Sequence, residues 1–372
     1  MNFIPVNRPI INSKEISYCL ECLKDNQVTS GNFISKFEKN FANLHNKKYA
    51  ITVSNGTAAL EIAIKSLNLK KNSEVIIPSF SIISTVLCVI KNNLKPVFVD
   101  CEIDTWNSSA NQIISKINKK TKAIIITHIY GLPVDMDKVI KIAKKKKIKI
   151  IEDAAEAIGL KYKNKFCGSL GDISTFSFYA NKHITTGEGG IILTDSKKIF
   201  KNCKSLKNLG FSSSYYDRFI HENIGWNYRM TNLQAAIGYG QLKRIKNIIK
   251  RKQFIGNKYF KELKNFKNIS LQLNKTKYAK NIYWVFGIVL KNKFKNKRNK
   301  IMKQLLKFGI ETRPFFFPLH RQKILKNYNF NKTGKFSNTE LISKNGFYIP
   351  SGLGIKNSEI NYVIKILKKI LS

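Results

Sequence analysis

Acidic residues are scarce in this chain, and long apolar runs are missing. Its 372 residues include 23 Asp and Glu against 66 Lys and Arg, a formal charge of +43. No apolar run approaches the ~20 residues that a membrane-spanning helix needs, and the start MNFIPVNRPI lacks a signal-peptide pattern. The 43% hydrophobic content excludes a disordered chain. We therefore expect a globular cytoplasmic protein, without membrane insertion, of one large two-lobed domain or two ordinary domains.

The positive charge is not gathered in one place. Lysines are scattered among Asn and Ile over nearly the whole chain, as in LKKNSEV and at 144–147 and 291–300. A basic tail and an RNA-binding signature are both missing, so we expect no nucleic-acid partner and interpret most lysines as solvated surface residues. A basic polyanion-binding protein that uses its fold without catalysis is the non-enzyme alternative.

The cysteines do not form a metal-binding pattern. Of six, only Cys19 and Cys22 are spaced C-x-x-C, with no second pair and no nearby histidine cluster. The segment SKEISYCLECLKD predicts a helix, on which the two thiols lie one turn apart and pack against neighbours. We expect no metal site, and free thiols fit a reducing compartment.

Apolar runs alternate with helical patterns between residues 50 and 195. This alternation is typical of an α/β fold whose mostly parallel sheet is covered on both faces. The predicted helices between the strands span 57–66, 81–91 and 134–147. The predicted strands are Tyr49 to Val53, Glu74 to Ile77, Pro96 to Val99, Ala123 to Thr127, Ile148 to Ile151 and Ile173 to Phe178.

Beyond Met230 the pattern changes to that of a smaller α+β unit. Residues 231–266 predict one long helix that links two lobes. Strand-like IYWVFGIVL, a helix at 298–308, the segment TRPFFFPLH and a closing helix at 360–371 follow. We therefore expect a large domain at 1–245 and a small C-terminal domain at 246–372. The N-terminal segment is expected to pack near the small lobe or the active site.

Three strand-end motifs carry the chemistry, because ligands of open α/β sheets bind beyond the carboxyl ends of the strands. Gly56 and Thr57 in SNGTAAL open a helix whose free N–H groups can bind an anion. Asp153 in IIEDAAEA ends a central strand, where a buried carboxylate needs a positive partner. Lys182 in TFSFYANK lies among apolar and aromatic residues, where burial would lower its pKa and leave a nucleophilic amine. Each motif alone also fits an ordinary cap, a capping acid or a surface lysine.

Together the three motifs fit pyridoxal 5'-phosphate (PLP). Its phosphate needs an anion site, its aldehyde needs a lysine amine, and its ring nitrogen needs an acid that keeps it protonated. The following glycines in TTGEGG have neither the spacing nor the Lys-Ser/Thr of a phosphate loop.

Long motifs over nearly the whole chain resemble the DegT/StrS type of nucleotide-sugar aminotransferases, which have the aspartate-aminotransferase-like fold type I. The motifs are SG at Ser30-Gly31, SNGTAAL, HIYGLPVDMD, IIEDAAEAIG, GDISTFSFYANKHITTGEGG, GWNYRMTNLQAAIG and ETRPFFFPLH.

This resemblance implies a PLP-dependent transfer of an amino group from glutamate to C4 of a nucleotide-linked 4-keto-6-deoxy sugar. GDP-4-keto-6-deoxymannose is the expected substrate and GDP-perosamine the expected product, for O-antigen, lipopolysaccharide or other polysaccharide biosynthesis. A UDP- or dTDP-keto sugar as substrate, or a related PLP sugar dehydrase, are the alternatives within enzymes.

The resemblance also assigns roles to residues. Lys182 is the lysine that bonds the cofactor and moves the proton, Asp153 is the partner of the ring nitrogen, and Glu156 lies near the oxygen side of the ring. The residues implied at the phosphate are Gly56, Thr57, Ser177 and, from the neighbouring subunit of a homodimer with shared active sites, Asn227. The residues implied at the substrate are Arg229, Arg313 and His320.

Two positions differ from, or lie next to, residues typical of the family. Many members place an aromatic residue, which stacks on the ring, where this chain has Ile82, so we expect weaker stacking or a substitute role for Phe80. Dehydrases of the family carry His in place of the lysine, and His183 is adjacent, but the register SFYANK puts Lys182 at the lysine position. Transamination is therefore preferred. A direct role and a supporting role stay open for His128.

Overall fold

A computed structural model describes residues 3–212, 214, 216–328 and 334–372. Three sheets are present in this part of the chain, with the strand orders β1-β9-β8-β5-β4-β2-β3, β10-β11-β13-β12 and β6-β7. The strands are β1 Tyr49–Val53, β2 Glu74–Pro78, β3 Lys95–Val99, β4 Thr121–Thr127, β5 Lys149–Asp153, β6 Lys161–Tyr162, β7 Lys165–Phe166, β8 Ile173–Ser177, β9 Gly190–Thr194, β10 Ile269–Leu271, β11 Phe286–Leu290, β12 Arg313–Pro314 and β13 Gly346–Ile349.

Helices cover the large sheet and flank the small one. None of those in the described residues is long and apolar enough to cross a membrane. The helices are α1 Ser13–Lys24, α2 Asn32–Leu44, α3 Gly56–Ser66, α4 Ser84–Lys91, α5 Ala110–Ser115, α6 Met136–Lys145, α7 Lys197–Leu206, α8 Asn232–Lys243, α9 Ile245–Leu263, α10 Arg298–Lys307, α11 Ser337–Asn345 and α12 Asn357–Leu371.

The seven-stranded sheet is buried on both faces. Because side chains alternate along a strand, Ile124 and Ile126 of β4 join one apolar cluster, whereas Ala123 and Ile125 join the cluster on the other face. This explains why the strands are nearly continuous apolar runs, as expected of a sheet with helices on both sides. All six predicted strands of this sheet are present, with ends that differ by at most two residues.

The strand β9 is an addition to the prediction. It lies between β1 and β8 and is antiparallel to both, whereas the other neighbouring pairs of the sheet are parallel. Its sequence GIILT is a short apolar run directly after a glycine-rich segment, without the strand-then-helix alternation on which the prediction depended. Since β1 and β8 are both antiparallel to β9, they are parallel to each other, and their carboxyl ends lie at the same edge.

The predicted long helix at 231–266 is wrong in one respect, because it is two helices. Between α8 and α9, Arg244 has φ −108° and ψ 17°, outside the helical region. Its guanidinium bonds the fully buried Glu15 of α1 at 3.0 Å and the carbonyl of Ile10 at 2.7 Å. A periodic apolar pattern does not report such a tertiary contact, so the pattern runs on through the break.

The four-stranded sheet has its own apolar core with α9, α10 and α12. The N-terminal segment contacts this part of the chain, as expected. Ile4 forms a parallel bridge with Ile310, and the N–H of Val6 donates to Glu311 at 2.9 Å. The division of the chain into 1–245 and 246–372 stays a prediction.

Candidate active site

A cavity of about 580 Å³ opens at the carboxyl-end edge of the large sheet. Its lining includes the last residues of three neighbouring strands, Thr127 of β4, Asp153 of β5 and Ser177 of β8. Residues from the C-terminal part of the chain, among them Trp284 and Tyr348, line the same cavity. The volume is within the range of ligand sites in proteins.

The N-terminus of α3 forms one end of this cavity. The Asn55 side chain caps the helix by accepting the Ala58 N–H at 2.8 Å, which leaves the first N–H groups, those of Gly56 and Thr57, without helical partners. The Thr57 hydroxyl lies 2.7 Å from that of Ser84. At Gly56 a Cβ atom would come within 2.8 Å of the Cβ of Ser177. Glycine is needed there because the helix start and the end of β8 approach so closely, and the result is a small cradle suited to an anion.

Asp153 is a buried carboxylate that has no cation close to it. It is 2% exposed, and no Lys, Arg or His nitrogen of the described residues lies within 4.0 Å of it. The Ala155 N–H and the Thr127 hydroxyl donate to it at long distances, 3.2 and 3.3 Å. Burial raises its pKa, against the lowering effect of the Ala155 N–H and of Lys182. A positive ligand group would therefore find an acceptor already in place.

The Lys182 amine lies in the same cavity, close to a second acid. Its Nζ is 3.9 Å from Oε1 of Glu156, and Oε2 of the same side chain accepts the Tyr130 N–H at 2.9 Å. Burial lowers the pKa of Lys182, although Glu156 and Asp153 act in the opposite direction. Burial also raises the pKa of Glu156 to about 8, against the effect of Lys182. The structure thus brings together Lys182, Asp153 and Glu156, and places Gly56, Thr57 and Ser177 in the same lining.

Trp284 lines the cavity and was missed by the sequence reasoning. The centre of its ring lies 3.8 Å from Nζ of Lys182. Phe316 and Tyr348 also line the cavity. No local pattern in IYWVFGIVL marks its tryptophan as a cavity residue, because that position depends on contacts between distant parts of the chain.

Ile82 is the side chain that faces the cavity at the position where the family often has an aromatic residue. It is 44% exposed and lines the cavity. Phe80 is 1% exposed, is not part of the cavity lining, and packs against Tyr130 and Phe315. The geometry therefore favours the first alternative, an aliphatic contact to the ring, over a substitute role for Phe80.

His128 takes the supporting role. Its Nδ1 accepts the Val134 N–H at 3.3 Å, so Nε2 carries the proton and donates to Glu152 at 3.1 Å. Glu152 in turn accepts the N–H groups of Gly168, Leu170 and Gly171 at 2.5 to 2.8 Å. Burial opposes ionisation of Glu152, but these hydrogen bonds outweigh it and lower its pKa. The pair stabilises the loop before β8 and does not line the cavity.

His183 lies outside the lining of the cavity. It is 2% exposed, its Nδ1 contacts the Ile158 carbonyl at 3.2 Å, and burial lowers its pKa to about 3. Lys182, not His183, lies in the cavity, as the register of SFYANK predicts.

The four remaining predicted residues lie outside the lining of this cavity. Asn227 is exposed and forms an isolated antiparallel β-bridge with Asn208. The Arg229 guanidinium donates to the side-chain oxygen of Asn208 at 2.9 Å. Arg313 pairs with Glu311 at 2.7 Å and is 60% exposed.

His320 is packed between elements. Its Nδ1 lies 2.5 Å from the Ser79 hydroxyl, its Nε2 lies 3.2 Å from Glu340, and its ring stacks on Phe336. Burial lowers its pKa. The assignment of these four residues to phosphate or substrate stays a prediction.

Two observations test whether PLP fits these residues. The cradle at Gly56 is a space that a single added methyl group would fill, and Asp153 is a buried acid without a cation within 4.0 Å in the described part of the chain. A phosphate matches the first and a protonated ring nitrogen the second, while the Lys182 amine lies in the same cavity. The residues fit the cofactor.

Fold and site together define an α/β enzyme of fold type I that uses pyridoxal phosphate. The model of the DegT/DnrJ/EryC1/StrS aminotransferase family matches residues 9–368. The chain belongs to this family, which confirms the resemblance, the fold class and the cofactor predicted from the sequence.

Similar proteins are known in sequence and in structure. The GDP-perosamine synthase of Escherichia coli O157:H7 is 38% identical over 374 residues, covering 100% of both chains. Helicobacter pylori PseC, an aminotransferase involved in pseudoaminic acid biosynthesis, superposes with a TM-score of 0.93 at 23% identity, over 100% of this chain and 99% of PseC. A GDP-4-keto-6-deoxymannose-3-dehydratase solved with bound GDP-perosamine has a TM-score of 0.91 at 26% identity, over 98% and 100% of the chains.

Proposed function

We propose that this protein transfers an amino group from glutamate to C4 of GDP-4-keto-6-deoxymannose and so forms GDP-perosamine in the cytoplasm. The observation that carries the proposal is the shared cavity of the Lys182 amine and the unpaired Asp153 carboxylate. The full-length similarity to a GDP-perosamine synthase supports the choice of sugar. The product would enter a surface polysaccharide such as an O-antigen or lipopolysaccharide.

The chain's own groups divide the work. Bound PLP supplies an electron-accepting ring and carries the amino group between the two substrates. Lys182 binds it and, when free, takes and returns the proton at Nζ, for which its lowered pKa is suited. Asp153 holds a proton on the ring nitrogen. The Gly56 and Thr57 N–H groups and the Ser177 hydroxyl hold the phosphate. Glu156 lies 3.9 Å from the Lys182 amine and favours its charged form.

The substrate contacts belong to the mouth of the cavity. Arg229 and Arg313 carry exposed guanidinium groups, which suit the carboxylates of glutamate or the diphosphate of the nucleotide. We keep His320 as a candidate at this mouth, although its packing against Ser79 and Glu340 favours an indirect effect.

A test of the reaction is direct. Purified protein with PLP, GDP-4-keto-6-deoxymannose and ¹⁵N-glutamate should give a GDP-4-amino sugar that carries the label, detected by mass spectrometry, together with 2-oxoglutarate. Lys182→Ala should give none. Lys47→Met is the matched control, since Lys47 is another buried lysine but bonds Gly171 and Asp195 outside the cavity.

Other outcomes separate the alternatives. Product from a UDP- or dTDP-keto sugar alone would move the substrate assignment within the family. Loss of a hydroxyl from the sugar without gain of nitrogen would show a dehydrase, against which the buried position of His183 argues. Salt-sensitive binding to DNA or anionic vesicles, without retention of PLP, would favour the polyanion-binding alternative.

We further propose a homodimer with shared active sites. Phe219, Ile220 and Ile224 are 64 to 88% exposed on the segment that leads to Asn227. Large apolar side chains exposed together mark an interaction surface, and a second copy of the chain would cover them while bringing Asn227 to its phosphate site.

Mixing two inactive variants tests this arrangement. In a mixed dimer of Lys182→Ala and Asn227→Ala subunits, one site carries both changes and the other carries neither. Random mixing should therefore restore about a quarter of the wild-type activity. A mixture that stays inactive, although ultracentrifugation shows that subunits exchange, would place Asn227 outside a shared site.

A further inference from the structure

Trp284 contacts the reactive amine more closely than any carboxylate in the described residues. The ring centre lies 3.8 Å from Nζ of Lys182, whereas the nearest acidic oxygen, on Glu156, lies at 3.9 Å, beyond hydrogen-bond distance. The face of an aromatic ring carries partial negative charge, and indole attracts a cation more strongly than the other aromatic side chains do. The ammonium form of Lys182 is therefore stabilised by the ring face at a place where burial opposes charge.

Trp284 is itself held from several sides. Its Nε1–H donates to the carbonyl of Asn181, the residue before Lys182, at 3.0 Å. Its carbonyl accepts the amine of the buried Lys252 at 2.9 Å. Its ring packs on Tyr130, with centres 5.6 Å apart. One side chain thus bonds the backbone beside the reactive lysine and also covers that lysine's amine.

This contact joins two parts of the fold. Lys182 follows β8 of the seven-stranded sheet, and Trp284 precedes β11 of the four-stranded sheet. Phenylalanine at 284 would keep a ring face but lose the N–H donor, and a small polar residue would keep neither the ring area nor the shape. Indole combines a ring face with an N–H donor.

We propose that Trp284 is a positioning residue for Lys182, whose indole face receives the ammonium group whenever the amine is not bonded to the cofactor, while its N–H orients the preceding backbone. This rests on the proposed function only in its use, since the contact itself is between two side chains of this chain. In use, it would keep the free amine beside the cavity, ready to move the proton, instead of letting it rotate towards solvent.

Fluorinated tryptophan tests the ring face without changing its shape. Fluorine withdraws electron density from the ring and so weakens its attraction for a cation. Protein made with tryptophan, 5-fluorotryptophan or 5,6,7-trifluorotryptophan would be labelled, without PLP, with limiting acetic anhydride over a range of pH. Mass spectrometry of the peptide with Lys182 then gives the midpoint pH of its reactivity.

The midpoint for Lys182 should fall stepwise with fluorination, by about 0.5 to 1 unit in the trifluoro protein. The chain has three tryptophans. Among these three, and within the described residues, Trp284 is the one whose ring has a cation over it. Lys243 is the internal control, because its Nζ lies over the ring of Tyr239 and its midpoint should stay constant. A constant midpoint for Lys182 across the series would overturn the proposal.

Substitutions give a second, independent measurement. Trp284→Leu removes the ring face and should lower the Lys182 midpoint like trifluoro labelling. Trp106→Phe disturbs the same aromatic cluster without touching Lys182, so it should change thermal stability but not the midpoint. Equal shifts in both variants would show that Trp284 acts only through packing. Because all midpoints are measured without cofactor or substrate, they stay interpretable even if the amino transfer itself is not found.

Discussion

Replacement of Asp153 by asparagine should stabilise the cofactor-free protein and at the same time disable it. The Asp153 carboxylate is 2% exposed and, within the described residues, receives only two long hydrogen bonds, both from neutral donors. Burial of a charge without a cationic partner is unfavourable, and the raised pKa of Asp153 has this cause. Asparagine has nearly the same shape and no charge, so the unfavourable burial disappears.

The size of the effect follows from the burial. Replacement of a buried charge by a neutral group of similar shape is expected to stabilise by about 1 to 3 kcal/mol here. For a chain of 372 residues, an unfolding entropy of about 2 cal/mol/K per residue gives about 0.8 kcal/mol/K. The melting temperature of the cofactor-free protein should therefore rise by about 1 to 4 °C.

The neighbouring acid provides a matched control with the opposite sign. Glu152 is fully buried, but it accepts three backbone N–H groups and the His128 proton. Glutamine at this position would turn an NH₂ group towards some of these donors. Loss of such charge-assisted bonds costs about 2 to 4 kcal/mol, so Glu152→Gln should lower the melting temperature by about 3 to 5 °C.

Calorimetry of the two variants and the parent protein, with and without PLP, decides between these outcomes. PLP should raise the melting temperature of the parent protein and raise that of Asp153→Asn much less, because the ring nitrogen loses its partner. Because the pKa of Asp153 is raised in the folded state, the folded protein takes up a proton on this carboxylate as the pH falls, and the unfavourable buried charge disappears. The difference in melting temperature between Asp153→Asn and the parent protein should therefore be largest near neutral pH and shrink as the pH falls towards 4. If Asp153→Asn melts at a lower temperature than the parent protein without PLP, the Asp153 carboxylate stabilises the fold. That result would refute the reasoning that its burial is unfavourable.

Three further changes test separate features, two in the cavity lining and one at a buried lysine that bonds the Trp284 carbonyl. Gly56→Ala puts a methyl group within 2.8 Å of Ser177, so the dissociation constant for PLP, measured by fluorescence titration, should rise at least about tenfold; unchanged binding would place the phosphate elsewhere. Ile82→Phe offers the ring an aromatic face, and PLP should bind about 2- to 10-fold more tightly; weaker binding would show that Ile82 does not contact the ring. Burial lowers the pKa of Lys252 to about 7, so between pH 7 and 10 the unfolded chain binds a proton that the folded protein does not, and the folded protein gains stability as the pH rises. The melting temperature of the parent protein relative to Lys252→Met should therefore rise by about 3 °C from pH 7 to 9. A constant difference would contradict this expectation.

The large sheet could be predicted from the sequence because its strands are buried on both faces. Near-continuous apolar runs between helical patterns are typical of such a sheet, and Asp153, Ser177 and the Gly56 turn could be placed at one edge because each lies at or after the end of a predicted strand. Lys182 followed from the same rule. The edge of a parallel sheet collects residues that are distant in sequence, and this is why these residues of the candidate site could be predicted.

The walls contributed by the C-terminal part could not be placed in this way. Trp284 and Tyr348 lie in the cavity because the four-stranded sheet packs beside the large one, a contact that has no local sequence signal. The break at Arg244 and the packing of His320 have the same origin, since each depends on a partner far along the chain, Glu15 in one case and Ser79 in the other. Periodicity and strand-end rules describe elements, and these features arise between elements.

The scarcity of acidic residues makes each buried acid informative. In a chain with 66 basic and 23 acidic residues, a carboxylate in the interior could easily be paired with one of many lysines or arginines, and Glu15 and Glu61 are. Asp153 and Glu156 are different, because burial raises the pKa of both and the only nearby cation in the described residues is the Lys182 amine, which lies 3.9 Å from Glu156. No other lysine or arginine of the described residues lies within 4.0 Å of these two carboxylates. An acid left without a close cation in so basic a protein indicates that the cation arrives with the ligand, and a protonated ring nitrogen beside Asp153 meets that requirement.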